Sequence, residues 1–152
     1  MNATVSARTP WHLWVAGLLS LLWNCIGCYD YVMSQTRNAE YMRMITEPYG
    51  VDTQAAVAYF DSYPVWADVA WALGVWGALA GSILLLLRNR YAFHAFVVSL
   101  AGIVIANLYG LSNPLPGLSD SAMTYGMTAL ITVVTILLIW YSRRQTAAGV
   151  LR

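Results

Sequence analysis

Residues 64–87 read PVWADVAWALGVWGALAGSILLLL, and this run decides the fold. Asp68 is its only charged residue. A helix crossing about 30 Å of hydrocarbon at about 1.5 Å per residue needs about 20 apolar residues, and the run is long enough. Ala70, Gly74 and Ala78 recur every four positions, and Gly77-Ala-Leu-Ala-Gly81 is a G-x-x-x-G, so one side of the helix is smooth. Lipid tails give helices no hydrophobic reason to associate, and smooth strips are where backbones come close enough to hold. Ala70, Gly74, Gly77, Ala78 and Gly81 are therefore helix-packing positions, used within the chain, against a second copy or against a partner membrane protein.

Three further runs meet the same length requirement, at about 11–33, 91–111 and 122–141. Of the 152 residues 59% are hydrophobic and 10% charged, where a soluble domain carries nearer a quarter. So few charges cannot clothe a water-facing surface. The chain is expected to be one all-α membrane domain over residues 1–152, a bundle of four transmembrane helices with the bilayer as its first partner. Lysine is absent and the eight arginines form no stripe, which argues against a nucleic-acid partner.

Arginine placement sets the expected orientation. Arg8 precedes the first span, Arg88 and Arg90 join the second and third, and Arg143, Arg144 and Arg152 follow the fourth. The 34–63 segment balances Arg37 and Arg43 against Glu40, Glu47, Asp52 and Asp61, and the 112–121 joint carries only Asp120. By the positive-inside rule both termini lie in the cytoplasm, and 34–63 is a periplasmic loop of a bacterial inner-membrane protein. That loop is too long for a plain joint. DTQAAVAYFD opens with Asp52 as a helix cap, and TRNAEYMRMI suggests a second short helix. Arg8, an apolar run and CIGC loosely resemble a lipoprotein leader, but Cys25 stands where a lipobox wants an aliphatic residue; the first span is expected to stay.

The polar residues inside the spans are few. Asn24, Asp30, Asp68 and Asn107 come from three helices and fall toward one end, and together they are the candidate lining of an outward-opening pocket. Each also has a plainer reading. Asp68 suits the positive end of its helix, Asp30 the interface, and the amides interhelical contacts.

Cys25 and Cys28 form a C-x-x-C near the same end, a weak redox signal without a second pair or a nearby positive charge. Met123-x-x-x-Met127, at one-turn spacing, resembles the M-x-x-x-M element of copper permeases, and thioethers select Cu(I), against a default of gap-filling methionine. No nucleophile–base pair, phosphate-cradling loop or closed zinc set is present, so no catalytic residue and no cofactor are expected.

TPWHLWVAGLLSLLWN, YDYVM, WALGVWGALAGSILLLLRNRYAF and the closing IWYSRR resemble a group of small four-span inner-membrane proteins of Gram-negative bacteria. Some members carry the label "sugar transporter". The resemblance implies passage or binding of a sugar-like solute, with Trp23, Trp71 and Trp76 as stacking surfaces beside the polar set. It carries no catalytic or substrate residue with it. A structural subunit that docks another membrane protein is the alternative.

Overall fold

The computed structural model describes residues 9–115, 117 and 122–152. Among them are six α-helices, one 3-10 turn and no strand: α1 (Trp11–Gln35), α2 (Ala39–Thr46), the 3-10 turn Glu47–Tyr49, α3 (Thr53–Asp61), α4 (Val65–Leu86), α5 (Ala92–Ser112) and α6 (Ala122–Ala147). Helices α1, α4, α5 and α6 are each long and apolar enough to cross a membrane. The 22 residues of α4 alone cover about 33 Å. The last span runs beyond the expected 141 to Ala147. Arg8 and Asp120, both used in the orientation argument, lie outside the described residues.

Local chemistry explains where the helices stop and start. Pro10 and Pro64 stand at the N-caps of α1 and α4, positions where the missing N–H costs nothing. Helices α1 and α4 each end on an arginine in the left-handed region, Arg37 at φ 50° and Arg88 at φ 58°. In both cases the next amide reaches back five residues, Asn38 N–H to Met33 O at 3.1 Å and Asn89 N–H to Leu84 O at 2.8 Å. This closure satisfies helix-end carbonyls that would otherwise be orphaned. Both short helices expected in 34–63 are present. Asn38 caps α2 by accepting from Tyr41 N–H at 3.0 Å, and Asp52 caps α3 by accepting from Ala55 N–H at 3.1 Å.

The tightest seam joins α4 to α5, and the small strip makes it. A Cβ on Gly102 would stand 2.5 Å from both Ala70 O and Gly74 N, so the two backbones touch there. Gly77 lies against Ser99, Gly81 against the Phe96 ring, and Ser99 Oγ donates to Gly74 O at 2.5 Å. The strip is thus filled from within the chain. Of the uses left open by the sequence, packing within the chain is the one seen here, with α5 lying along the strip.

Helix α1 packs on a neighbouring face of α4 with polar help. Ser20 Oγ donates to Ser82 Oγ at 2.5 Å, and Asn24 Nδ2 donates to Ser82 Oγ at 2.9 Å and to Ala78 O at 3.3 Å. Packing runs in the order α1, α4, α5, α6, and only Thr135 and Ser142 of α6 are buried.

One end of the spans has an apolar core of its own. Leu13, Leu85, Ala92, Phe96, Val150 and Leu151 are buried together, with Leu138, Ile139 and Tyr141 packed on them. Gly149, at φ 70°, turns the chain out of α6 so that residues 150–152 fold back under the bundle. Arg152 N–H then donates to Arg88 O at 2.8 Å, and Arg90 N–H donates to Arg152 O at 3.0 Å. His12 Nδ1 lies 2.6 Å from Tyr141 Oη and joins α1 to α6 at the same end.

Candidate functional site

The other end of the spans carries α2, the 3-10 turn and α3 as a cap, and aromatic side chains fasten it down. Phe60 of α3 stacks on Trp71 of α4, centroids 5.8 Å apart and planes 21° from parallel. Tyr63 stacks on Phe60 at 5.7 Å and meets Tyr109 of α5 edge-on at 4.8 Å. Tyr31 of α1 meets Trp71 edge-on at 5.0 Å and Trp76 at 6.2 Å. Trp66 meets Tyr109 at 5.3 Å. Such pairs add about 0.5–1.5 kcal/mol each beyond area burial, so rings from α1, α3, α4 and α5 form one cohesive surface.

Charge pins the rim of this surface. Arg37, in the turn after α1, pairs with Asp61 at 2.9 Å and lies 5.5 Å from the Phe60 ring centre. One cation thus holds α3 through both its last residue and its aromatic face. The left-handed backbone at Arg37 fixes the start of that side chain, so helix closure and cap attachment share a residue.

Asp68 stands in the first turn of α4, beside the rings, and accepts from Gln35 Nε2 at 3.2 Å. Its charge bears on the phenol of Tyr63. Tyr63, outside the spans, has its phenol pushed up from its ordinary value, mainly by burial, then by the Tyr59 hydroxyl beside it, and least by Asp68. It stays a neutral O–H at any physiological pH. Asp68, Gln35, Tyr31, Tyr63, Phe60 and Trp71 therefore place one carboxylate, one amide and two hydroxyls against flat apolar faces.

The four polar residues singled out in the sequence do not share a partner. Asn24 is consumed in the α1–α4 seam through Ser82 and Ala78 O. Asp30 accepts from the Tyr41 hydroxyl of α2, which ties the cap to α1. Burial first, then that bond and the nearby charge, push the Tyr41 phenol up and keep it a donor. Asp68 faces Gln35 and the rings. Asn107 is half-buried on α5, and among the described residues its side chain makes no hydrogen bond. A groove of about 510 Å³ along the cap is lined by Glu40, Arg43, Met44, Glu47 and Pro48, and one of about 420 Å³ by Trp66, Ile105, Leu108, Tyr109, Ser112 and Asn113. None of Asn24, Asp30, Asp68 or Asn107 lines either.

Cys25 is exposed and Cys28 buried, and both are free thiols. Met123 and Met127 at the start of α6 are 66% and 44% exposed, and Tyr49 Oη lies 3.1 Å from Met123 Sδ. Among the described residues no group of three or more His, Cys, Asp or Glu side chains is placed to hold a metal ion. No family model, curated protein or solved structure matches the chain.

Proposed function

We propose that this multi-pass membrane protein binds a small polar solute of sugar-like shape at the aromatic surface beside Asp68. The observation that carries the reading is the pairing of a half-buried carboxylate, held by Gln35, with the stacked Phe60–Trp71 rings and with Tyr31. A pyranose-like ring offers C–H groups to an aromatic face and hydroxyls to a carboxylate and an amide, and this surface supplies all three. The cap with its six-to-two excess of carboxylates over arginines across Asp30–Asp68 faces the periplasm under the positive-inside rule, and the arginine-bearing end faces the cytoplasm of a bacterial inner membrane. The site then opens toward incoming solute. A single chain supplies a place to bind at one end; passage across the bilayer requires several copies or a partner.

Tryptophan fluorescence of the purified protein, titrated with a panel of mono- and disaccharides, tests this. Asp68→Asn should weaken binding about ten- to a hundredfold, the value of a hydrogen bond to a charged acceptor. Trp71→Ala should abolish it. A panel in which nothing binds the wild type, or a ligand whose affinity is the same in Asp68→Asn, overturns the reading.

A second reading has its own observation. Helix α6 buries only Thr135 and Ser142, so most of its circumference is open to another protein, whether a second copy or a larger assembly. A particle mass in mild detergent equal to one chain, with nothing co-purifying, would exclude it.

A further inference from the structure

We infer that the end opposite the cap is a binding site for the phosphate of an anionic lipid headgroup, built on the α4–α5 turn, the last turn of α6 and residues 150–152. The argument needs only that the spans cross a bilayer, and it is independent of the solute reading.

Charge segregation is the first observation. Arg88, Arg90, Arg143, Arg144 and Arg152 gather at this end, and every Asp and Glu of the described residues lies in the cap or in the turns of α1 and α4 that meet it. The Arg37–Asp61 ion pair is at the far end too. None of Arg88, Arg90, Arg143 and Arg144 touches a carboxylate side chain. Positive charge gathered at one end with no acidic side chain against those four arginines is what an external anion would balance.

The second observation is that the backbone positions of Arg88, Arg90 and Arg152 are fixed relative to one another. The two hydrogen bonds of Arg152 to Arg88 and Arg90 bring the α4–α5 turn and residue 152, two distant parts of the sequence, into one short ladder. Arg88 Nε also donates to Val150 O at 3.3 Å. Below the ladder, Val150 and Leu151 are buried in the apolar core with Leu85 and Phe96, so the tail cannot drift without exposing them. A site preorganised in this way loses little entropy when the anion arrives.

Depth is the third. The Arg144 guanidinium carbon lies 4.7 Å from the Trp140 ring centre, and that of Arg90 lies 5.4 Å from Tyr91. Trp140 and Tyr91 are exposed rings at span ends, the level at which aromatic residues meet headgroups. A guanidinium laid on such a ring keeps its N–H edge outward at phosphate height, where the planar fork can take two phosphate oxygens. Arginine throughout, with no lysine, fits that bidentate geometry.

Native mass spectrometry of protein released from micelles, with phosphatidylglycerol and phosphatidylcholine at equal concentration, reads the preference directly. The wild type should retain phosphatidylglycerol selectively. Arg90→Gln with Arg144→Gln should weaken that retention about thirtyfold, roughly fivefold per charge near the membrane surface. Neither side chain supports the backbone ladder, so the fold should survive, and Arg43→Gln at the cap, an exposed arginine, is the control expected to leave retention unchanged. Inorganic phosphate added to the micelles separates the sources. Competition only at a large excess over lipid supports a headgroup site; displacement at equal concentration would make free phosphate the ligand and overturn the inference. Equal retention of the two lipids, or retention unaltered in the double variant, overturns it as well.

Discussion

Gly102→Val should prevent α4 and α5 from closing, with a loss of about 3 kcal/mol or more, at the upper end of what overpacking costs. The ground is local and rigid. A Cβ at 102 would meet Ala70 O and Gly74 N at 2.5 Å, and both are backbone atoms that no rotamer change can move. The helices would have to separate along the seam, which would also break the bond from Ser99 Oγ to Gly74 O. Unfolding in mixed micelles of increasing denaturant content would measure the loss. Gly110→Ala is the matched control. It lies on the same helix, and its Cβ would meet nothing within 4 Å. Its effect should stay within about 1 kcal/mol and favour the variant, since alanine is the better helix former. Equal losses in the two variants would mean that α4 and α5 do not meet as described.

Phe96→Ala should be next in size, at about 3–5 kcal/mol by the usual cost of emptying a buried aromatic site. Phe96 is fully buried among Leu13, Leu85, Val150 and Leu151, so one ring supports α1, α4, α5 and the folded-back tail together. The same ring lies 2.7 Å from where a Cβ on Gly81 would stand. Gly81→Ala alone should therefore destabilise, and the double variant should lose less than the sum of the two. A coupling of about 1 kcal/mol in that double-mutant cycle would report the contact itself. Strict additivity would place Phe96 elsewhere.

The spans and the small strip were legible in the sequence because each rests on one dominant constraint. A scarcity of charge forces the chain into lipid, and glycine spacing forces close approach. Asp52 as the cap of α3 was legible for the same reason, a local rule with a local partner. The polar residues were not resolved as well. Asn24 and Asp68 face different neighbours because their settings depend on Ser82, Gln35 and Tyr63, which no periodicity connects to them. Asp30 was visible, but its partner Tyr41 sits on a separate helix whose packing angle the sequence does not state. Trp71 and Trp76 were legible as stacking surfaces beside the polar set, but Phe60, Tyr63 and Tyr109 were not, because only the docking of α3 on α4 and α5 brings them to the same place. The buried Val150 and Leu151 escaped notice altogether. Gly149 was the available sign, a residue suited to the left-handed turn that ends a helix.

The clamp between residue 152 and the α4–α5 turn has a consequence for biogenesis. Synthesis proceeds from the first residue onward, so α4 and α5 can zip into a hairpin while α6 is still being made. Their turn stays wet until residues 150–152 emerge and thread beneath it. The amide hydrogen of Arg90 then reports that docking, slow to exchange with deuterium only in chains whose residues 150–152 have reached the turn.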